Sequence, residues 1–125
     1  MLPSFKRSGL LPPGVHDCDW AEFAGRYGEK RLGENPRRAR LLRGLAALLL
    51  DLHRAGCGIA YVDGSFVTRE KWPDDFDVCY SGEGMIGAHL EPVLRDFRAG
   101  RAAQKARYGG EALPHDFPFR SWKRY

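Results

Sequence analysis

The chain is predicted to fold as an α+β domain, and three observations predict it. After Asn35-Pro36, leucine recurs at helical spacing at Leu41, Leu45, Leu48 and Leu52. Two short apolar runs follow, Ile59 to Asp63 and Asp75 to Tyr80, and they read as strands. Between the runs lies a Gly64-Ser65 turn, so the order is helix, strand, turn, strand.

Length and composition bound the reading. A chain of 125 residues, 43% hydrophobic and 29% charged, reads as one globular domain over residues 1–125, with material for one core. No apolar run approaches the roughly 20 residues of a membrane span; the longest runs from Leu45 to Leu50. Lys6 and Arg7 precede no apolar segment of signal-peptide length, so a cytoplasmic protein is expected, without a membrane partner. Cys18, Cys57 and Cys79 are odd in number and lack metal-type spacing, and they read as reduced thiols. A formal net charge of +4 favours anionic partners in general.

Taken in order, residues 1–14 are rich in Pro and Gly and should be irregular, with a turn at Pro12-Pro13-Gly14. Asp19 is placed to cap a short helix from Trp20 to Tyr27, whose Trp20, Phe23 and Tyr27 share a face. Gly28 to Glu34 is polar and reads as a loop. Asn35-Pro36 is a helix start, a capping side chain followed by proline at the first helical position. Leu42 and Leu49 widen the leucine stripe, Arg40, Arg43 and Arg54 take the other side, and Gly56 ends the helix. Ser65 to Arg69 reads as a brief helix or turn, and Lys71 to Asp74 as a loop. Ser81 to Gly87 holds three glycines and reads as flexible. Glu91 to Arg107 is helical by propensity, with Pro92 near its first turn and Gly100 as the place for a break in two, and Gly109-Gly110 ends it. The remainder, with Phe117, Phe119, Trp122 and Tyr125, should pack, a last strand being one form for it.

The chemistry centres on Tyr61-Val62-Asp63-Gly64-Ser65-Phe66, then a spacer of nine residues after Ser65, then Asp75-Phe76-Asp77-Val78. Residues i and i+2 of a strand share a face, so Asp75 and Asp77 should point one way and Phe76 and Val78 into the core. Adjacent carboxylates repel unless a cation sits between them, and a hard divalent ion takes such oxygen ligands while leaving room for phosphates. The Gly64-Ser65 turn offers N–H groups and a hydroxyl suited to phosphate.

This ordered pair, apolar-Gly-Ser and then Asp-apolar-Asp-apolar, resembles the signature of the DNA polymerase beta-like nucleotidyltransferase superfamily, and the small size resembles its minimal members. Asp63 to Thr68, Trp72 to Val78, Gly9 to Gly14 and Gly100 to Lys105 are similar to a bacterial family of unknown function described as nucleotidyltransferase-like. The resemblance implies a small mixed β-sheet backed by helices. It implies Mg²⁺ or Mn²⁺ held by Asp75 and Asp77, and a nucleoside triphosphate, ATP in the first instance, as substrate. Gly64 and Ser65 would hold its phosphates, with Arg69 and Lys71 as further contacts. The activity implied is transfer of a nucleoside monophosphate to a hydroxyl of protein or RNA. By analogy with antitoxin-like members, the acceptor could be a cognate toxin. Active members carry a third carboxylate on a later strand. Asp116, before Phe117-Pro118-Phe119, is the first choice for it and Glu111 the second. Asp63 is read first as a turn-stabilising residue and second as a ligand. Arg101 and Lys105, spaced i and i+4, form a small basic strip. The alternative is a catalytically silent module of the same fold that acts through a protein or nucleic-acid partner. The position of the third carboxylate distinguishes the two.

Overall fold

The computed structural model describes residues 2–28 and 36–115. Its elements are α1 (Trp20–Tyr27), α2 (Pro36–Arg54), β1 (Ala60–Asp63), β2 (Asp77–Tyr80), α3 (Arg98–Tyr108) and β3 (Glu111–Pro114), with short 3₁₀ turns at Ser65–Val67, Gly87–His89 and Pro92–Arg95. The architecture is α+β. No described helix is long and apolar enough to cross a membrane.

α1 starts where its cap predicts: the Asp19 carboxylate accepts the Glu22 N–H at 2.8 Å. Phe23 and Tyr27 are buried, and Trp20, exposed, stacks on Phe23. Among the described residues no helix or strand precedes α1. The leading segment is nevertheless pinned. The Leu2 N–H donates to Glu22 at 2.7 Å, and Arg26 donates to the Pro3 carbonyl at 2.7 Å.

α2 buries Leu41, Leu45, Leu48 and Leu52, the stripe expected from the sequence, and exposes Arg40, Arg43 and Arg54. Its expected cap, Asn35, lies outside the described residues. Leu45 is 0% exposed, so Leu45→Ala should destabilise the protein by about 2–5 kcal/mol, the range for emptying a packed leucine site. A urea midpoint equal to wild type would show that this face does not form the core.

Two arginines at the start of α2 organise the long connection between β1 and β2. Arg38 is fully buried and donates to the carbonyls of Tyr27 (3.2 Å), Phe66 (2.9 Å), Thr68 (2.8 Å) and Glu70, with its guanidinium over the Phe66 ring. Arg37 donates to the carbonyls of Pro73 (2.8 Å) and Asp74 (2.6 Å). Loop carbonyls taken out of water need donors, and these two guanidiniums supply them.

The sheet order is β1-β2-β3. β1 and β2 are antiparallel, with Asp63 opposite Asp77 and Val62 opposite Val78. β2 and β3 are parallel, with Asp77 opposite Glu111 and Val78 opposite Ala112. The sheet is therefore mixed. Phe76, Val78 and Ala112, all 0% exposed, join the α2 leucines and Phe66 in the core. Asp77 and its strand neighbours Asp63 and Glu111 take the opposite face, as the alternation of a strand requires.

Two boundaries differ from the sequence expectation. β2 begins at Asp77 rather than Asp75, because Asp63–Asp77 is the last pair of the ladder before Gly64 diverts β1. The Asp75 carbonyl is instead used by the Phe66 N–H at 3.3 Å. The helix expected over Glu91 to Arg107 is broken. A 3₁₀ turn spans Pro92–Arg95, and Ala99, Gly100 and Arg101 all have positive φ inside α3 (51°, 64° and 62°). Right-handed helix runs from Ala102 to Tyr108 and ends on Gly109 at φ 86°. That remainder is anchored at both ends. Tyr108 Oη donates to Asp51 at 2.6 Å, and the Gln104 side chain accepts the Ala112 N–H at 2.7 Å.

Candidate functional site

Gly64 stands at φ 96° with its Cα against β2: a Cβ there would lie 3.3 Å from the Asp75 carbonyl, the Asp77 nitrogen and the Phe76 Cα. Glycine is thus favoured on two counts, conformation and close approach. Ser65 follows and ties the turn to the second motif. Its Oγ accepts the Asp74 N–H at 2.9 Å and donates to the Asp75 carbonyl at 3.4 Å. The two halves of the sequence pattern are therefore locked together through backbone contacts.

The register places three carboxylates side by side on one sheet face: Asp63 on β1, Asp77 on β2 and Glu111 on β3. Asp75 is a fourth negative charge beside Asp77. Burial, then repulsion from Asp75, Glu111 and Asp63, pushes the Asp77 carboxyl up to about 6, and a hydrogen bond to the Glu111 carboxyl adds to this. Asp75 is raised too, first by burial, with Lys105 opposing.

Glu111 is the most buried of the group, with a side chain 5% exposed. Arg101 grips it with two hydrogen bonds, 2.7 Å and 3.3 Å, and the Lys105 Nζ stands 3.8 Å away. The basic pair noted at i and i+4 thus does reach the carboxylates. Arg69 and Lys71 are engaged elsewhere. Arg69 donates to the Arg7 carbonyl at 3.1 Å, and the Lys71 ammonium lies over the Trp72 ring at 5.9 Å. Asp116 lies outside the described residues. Glu111, the second choice from sequence, stands opposite Asp77 in the pairing of β2 with β3.

Sequence reasoning missed the roles of Arg37 and Arg38. Both sit just inside the predicted helix start, two positions where charge normally faces water, and the available signal was only that α2 opens with basic residues. The pairing of Asp63 with Asp77 was legible in principle, because the Gly64-Ser65 turn sets where the ladder starts.

The donors fit a hard divalent cation. They are carboxylate oxygens placed side by side, where burial and then mutual repulsion penalise the charged form of Asp77, and a cation would relieve that repulsion. Among the described residues, no three His, Cys, Asp or Glu side chains are already drawn round a common point.

The Asp77 shift has a stability consequence. Its folded pKa of about 6 lies above the ordinary 3.8, so the folded state holds this proton more tightly than the unfolded chain. The associated stability is present below about pH 4 and is lost as pH rises through about 6. Asp77→Asn should remove that loss. Its stability relative to wild type should rise between pH 4 and pH 7 by about 1–2 kcal/mol, after discounting for solvent screening at a half-buried site. Urea curves at the two pH values check it, and a pH-independent difference would remove Asp77 from the cluster.

No curated protein and no solved structure matches. A family model described as "Family of unknown function (DUF6932)" matches residues 3–125, and the chain belongs to that family.

Proposed function

We propose that the protein is a minimal nucleotidyltransferase of the DNA polymerase beta-like kind, moving a nucleoside monophosphate, in the first instance adenylate, from a triphosphate to a hydroxyl of protein or RNA. The reading is carried by one arrangement: the Gly64-Ser65 turn packed on β2 beside Asp75 and Asp77, with Glu111 opposite Asp77 as third carboxylate. Asp116, the first choice from sequence, lies outside the described residues, and the proposal uses Glu111, the second choice, on the strength of its pairing with Asp77.

In this reading Asp75 and Asp77 hold Mg²⁺ or Mn²⁺, which when bound neutralises phosphate charge. The turn at Gly64 lets the chain approach phosphates without a side chain in the way, and Ser65 Oγ keeps that turn fixed to the Asp75 backbone. Lys105 and Arg101 supply positive charge at the same end of the sheet. The acceptor oxygen bonds to the α-phosphorus, the bond to the β-phosphate oxygen breaks, pyrophosphate leaves, and a cluster carboxylate takes the hydroxyl proton. The protein contributes mainly position and charge. A cognate toxin is one acceptor that fits this activity, and the cytoplasm is the compartment that fits its substrate.

A second reading has its own observation. Glu111 is already neutralised by Arg101 and Lys105, an arrangement that also suits a silent module binding a partner through the same fold. Divalent-dependent nucleotide binding separates them from an unrelated domain. ATP with Mn²⁺ should raise the melting temperature of wild type by mass action, and Asp77→Asn should abolish that rise while keeping its own cooperative transition. An equal rise in both proteins would dismiss the site.

A further inference from the structure

A buried carboxylate needs a counter-charge, and Glu111 has one built in. Arg101, its own side chain 19% exposed, holds Glu111 with a two-pronged contact. A divalent ion recruited to Asp77 and Glu111 would compete with Arg101 for the same oxygens. The backbone that presents Arg101 is unusual. Ala99 (φ 51°, ψ 46°), Gly100 (64°, 34°) and Arg101 (62°, 38°) are three consecutive left-handed residues, two of them with a Cβ. L-residues avoid this conformation, and it persists where surrounding contacts impose it. The Arg101–Glu111 contact is made by the last residue of this run. The rest of α3 is fastened independently, by Gln104 to Ala112 and Tyr108 to Asp51, so the turn can change hand without undocking the helix.

Resting on the cation site of the proposed function, we propose that Arg101 is an internal counter-cation that withholds Glu111 from a divalent ion, and that the left-handed Ala99–Gly100–Arg101 turn is the element that gives way when the ion binds. The latched state has Arg101 on Glu111 and the turn left-handed. In the released state Arg101 leaves, the turn relaxes toward the right-handed region, and Glu111 joins the aspartates. Binding of the ion is then coupled to the handedness of the turn.

This coupling makes charge-neutral variants informative. A Cβ at Gly100 would meet nothing within 4 Å, so Gly100→Ala acts through backbone preference alone and disfavours the latched state. Ala99→Gly removes a Cβ from a left-handed residue and favours it. Mn²⁺ affinity is measured by water-proton relaxation on the full chain, with circular dichroism confirming that each variant is folded. Gly100→Ala is expected to bind Mn²⁺ about fivefold more tightly than wild type, and Ala99→Gly about fivefold more weakly. Arg101→Gln should bind more tightly than either. Equal affinity in wild type and both backbone variants would overturn the latch while leaving the cation site standing. Weaker binding by Arg101→Gln would also overturn it, since Arg101 would then assist the ion. Absence of Mn²⁺ binding in every variant would overturn the cation site and the latch with it.

Discussion

Arg38→Met is expected to destabilise the fold by about 3–5 kcal/mol, with a cooperative transition moved to much lower urea. The methionine keeps the apolar stem and loses the guanidinium that serves four carbonyls, those of Tyr27, Phe66, Thr68 and Glu70. Each buried carbonyl left without a donor costs about 1–3 kcal/mol, and partial access of the loop to water lowers the sum. The contact over the Phe66 ring is lost as well. Because these carbonyls bracket the turn after Ser65, the loop should loosen where it meets the candidate site. Amide exchange should therefore quicken at Phe66 to Glu70 beyond what the global change in stability explains. Arg37→Met, which removes bonds to Pro73 and Asp74 at a half-buried position, should have a smaller effect. A midpoint for Arg38→Met within a few tenths of a kcal/mol of wild type would mean that the buried guanidinium does not organise the connection.

What the sequence made legible and what it did not divide along the range of the interactions. α1, α2 and both motif strands were legible because their signals are local: a capping Asp19, a proline at the start of α2, leucines at helical spacing and an alternating Asp-Phe-Asp-Val. The α+β class followed from those elements. The fate of Arg38 was not legible, because burying a guanidinium requires carbonyls from two separate segments, the end of α1 and the connection after Ser65, and no pattern within α2 announces them. Glu111 was ranked second to Asp116, which lies outside the described residues, because neither acid sits in an apolar-Asp-apolar setting like that of Asp75 and Asp77. Only the parallel pairing with β2 makes it Asp77's neighbour. The break in α3 was half legible. Gly100 marked it, whereas positive φ at Ala99 and Arg101 runs against the preference of those residues, and no local pattern announces it.

The second large effect concerns the chemistry. In Asp75→Asn/Asp77→Asn both carboxylates are lost, while the core partners Phe76 and Val78, each 0% exposed, are untouched. The variant should fold, with less repulsion near neutral pH than wild type, since the buried Asp77 charge and its repulsion from Asp75 are both gone. If the cluster is the seat of nucleotidyl transfer, activity should fall by about 10²-fold or more, the scale on which losing charge stabilisation at a reacting centre is felt. Stability and activity would then move in opposite directions, which a merely structural role for the aspartates does not produce.

The most direct test of the nucleotidyltransferase reading is label transfer. Wild type and Asp75→Asn/Asp77→Asn are incubated with each α-phosphate-labelled nucleoside triphosphate and Mg²⁺ or Mn²⁺, with cell lysate protein and total RNA offered as acceptors. Label is expected on a protein or RNA acceptor with wild type and none with the double variant, ATP being the preferred donor. Equal labelling by the two proteins, or no labelling by either with any nucleotide, would contradict it.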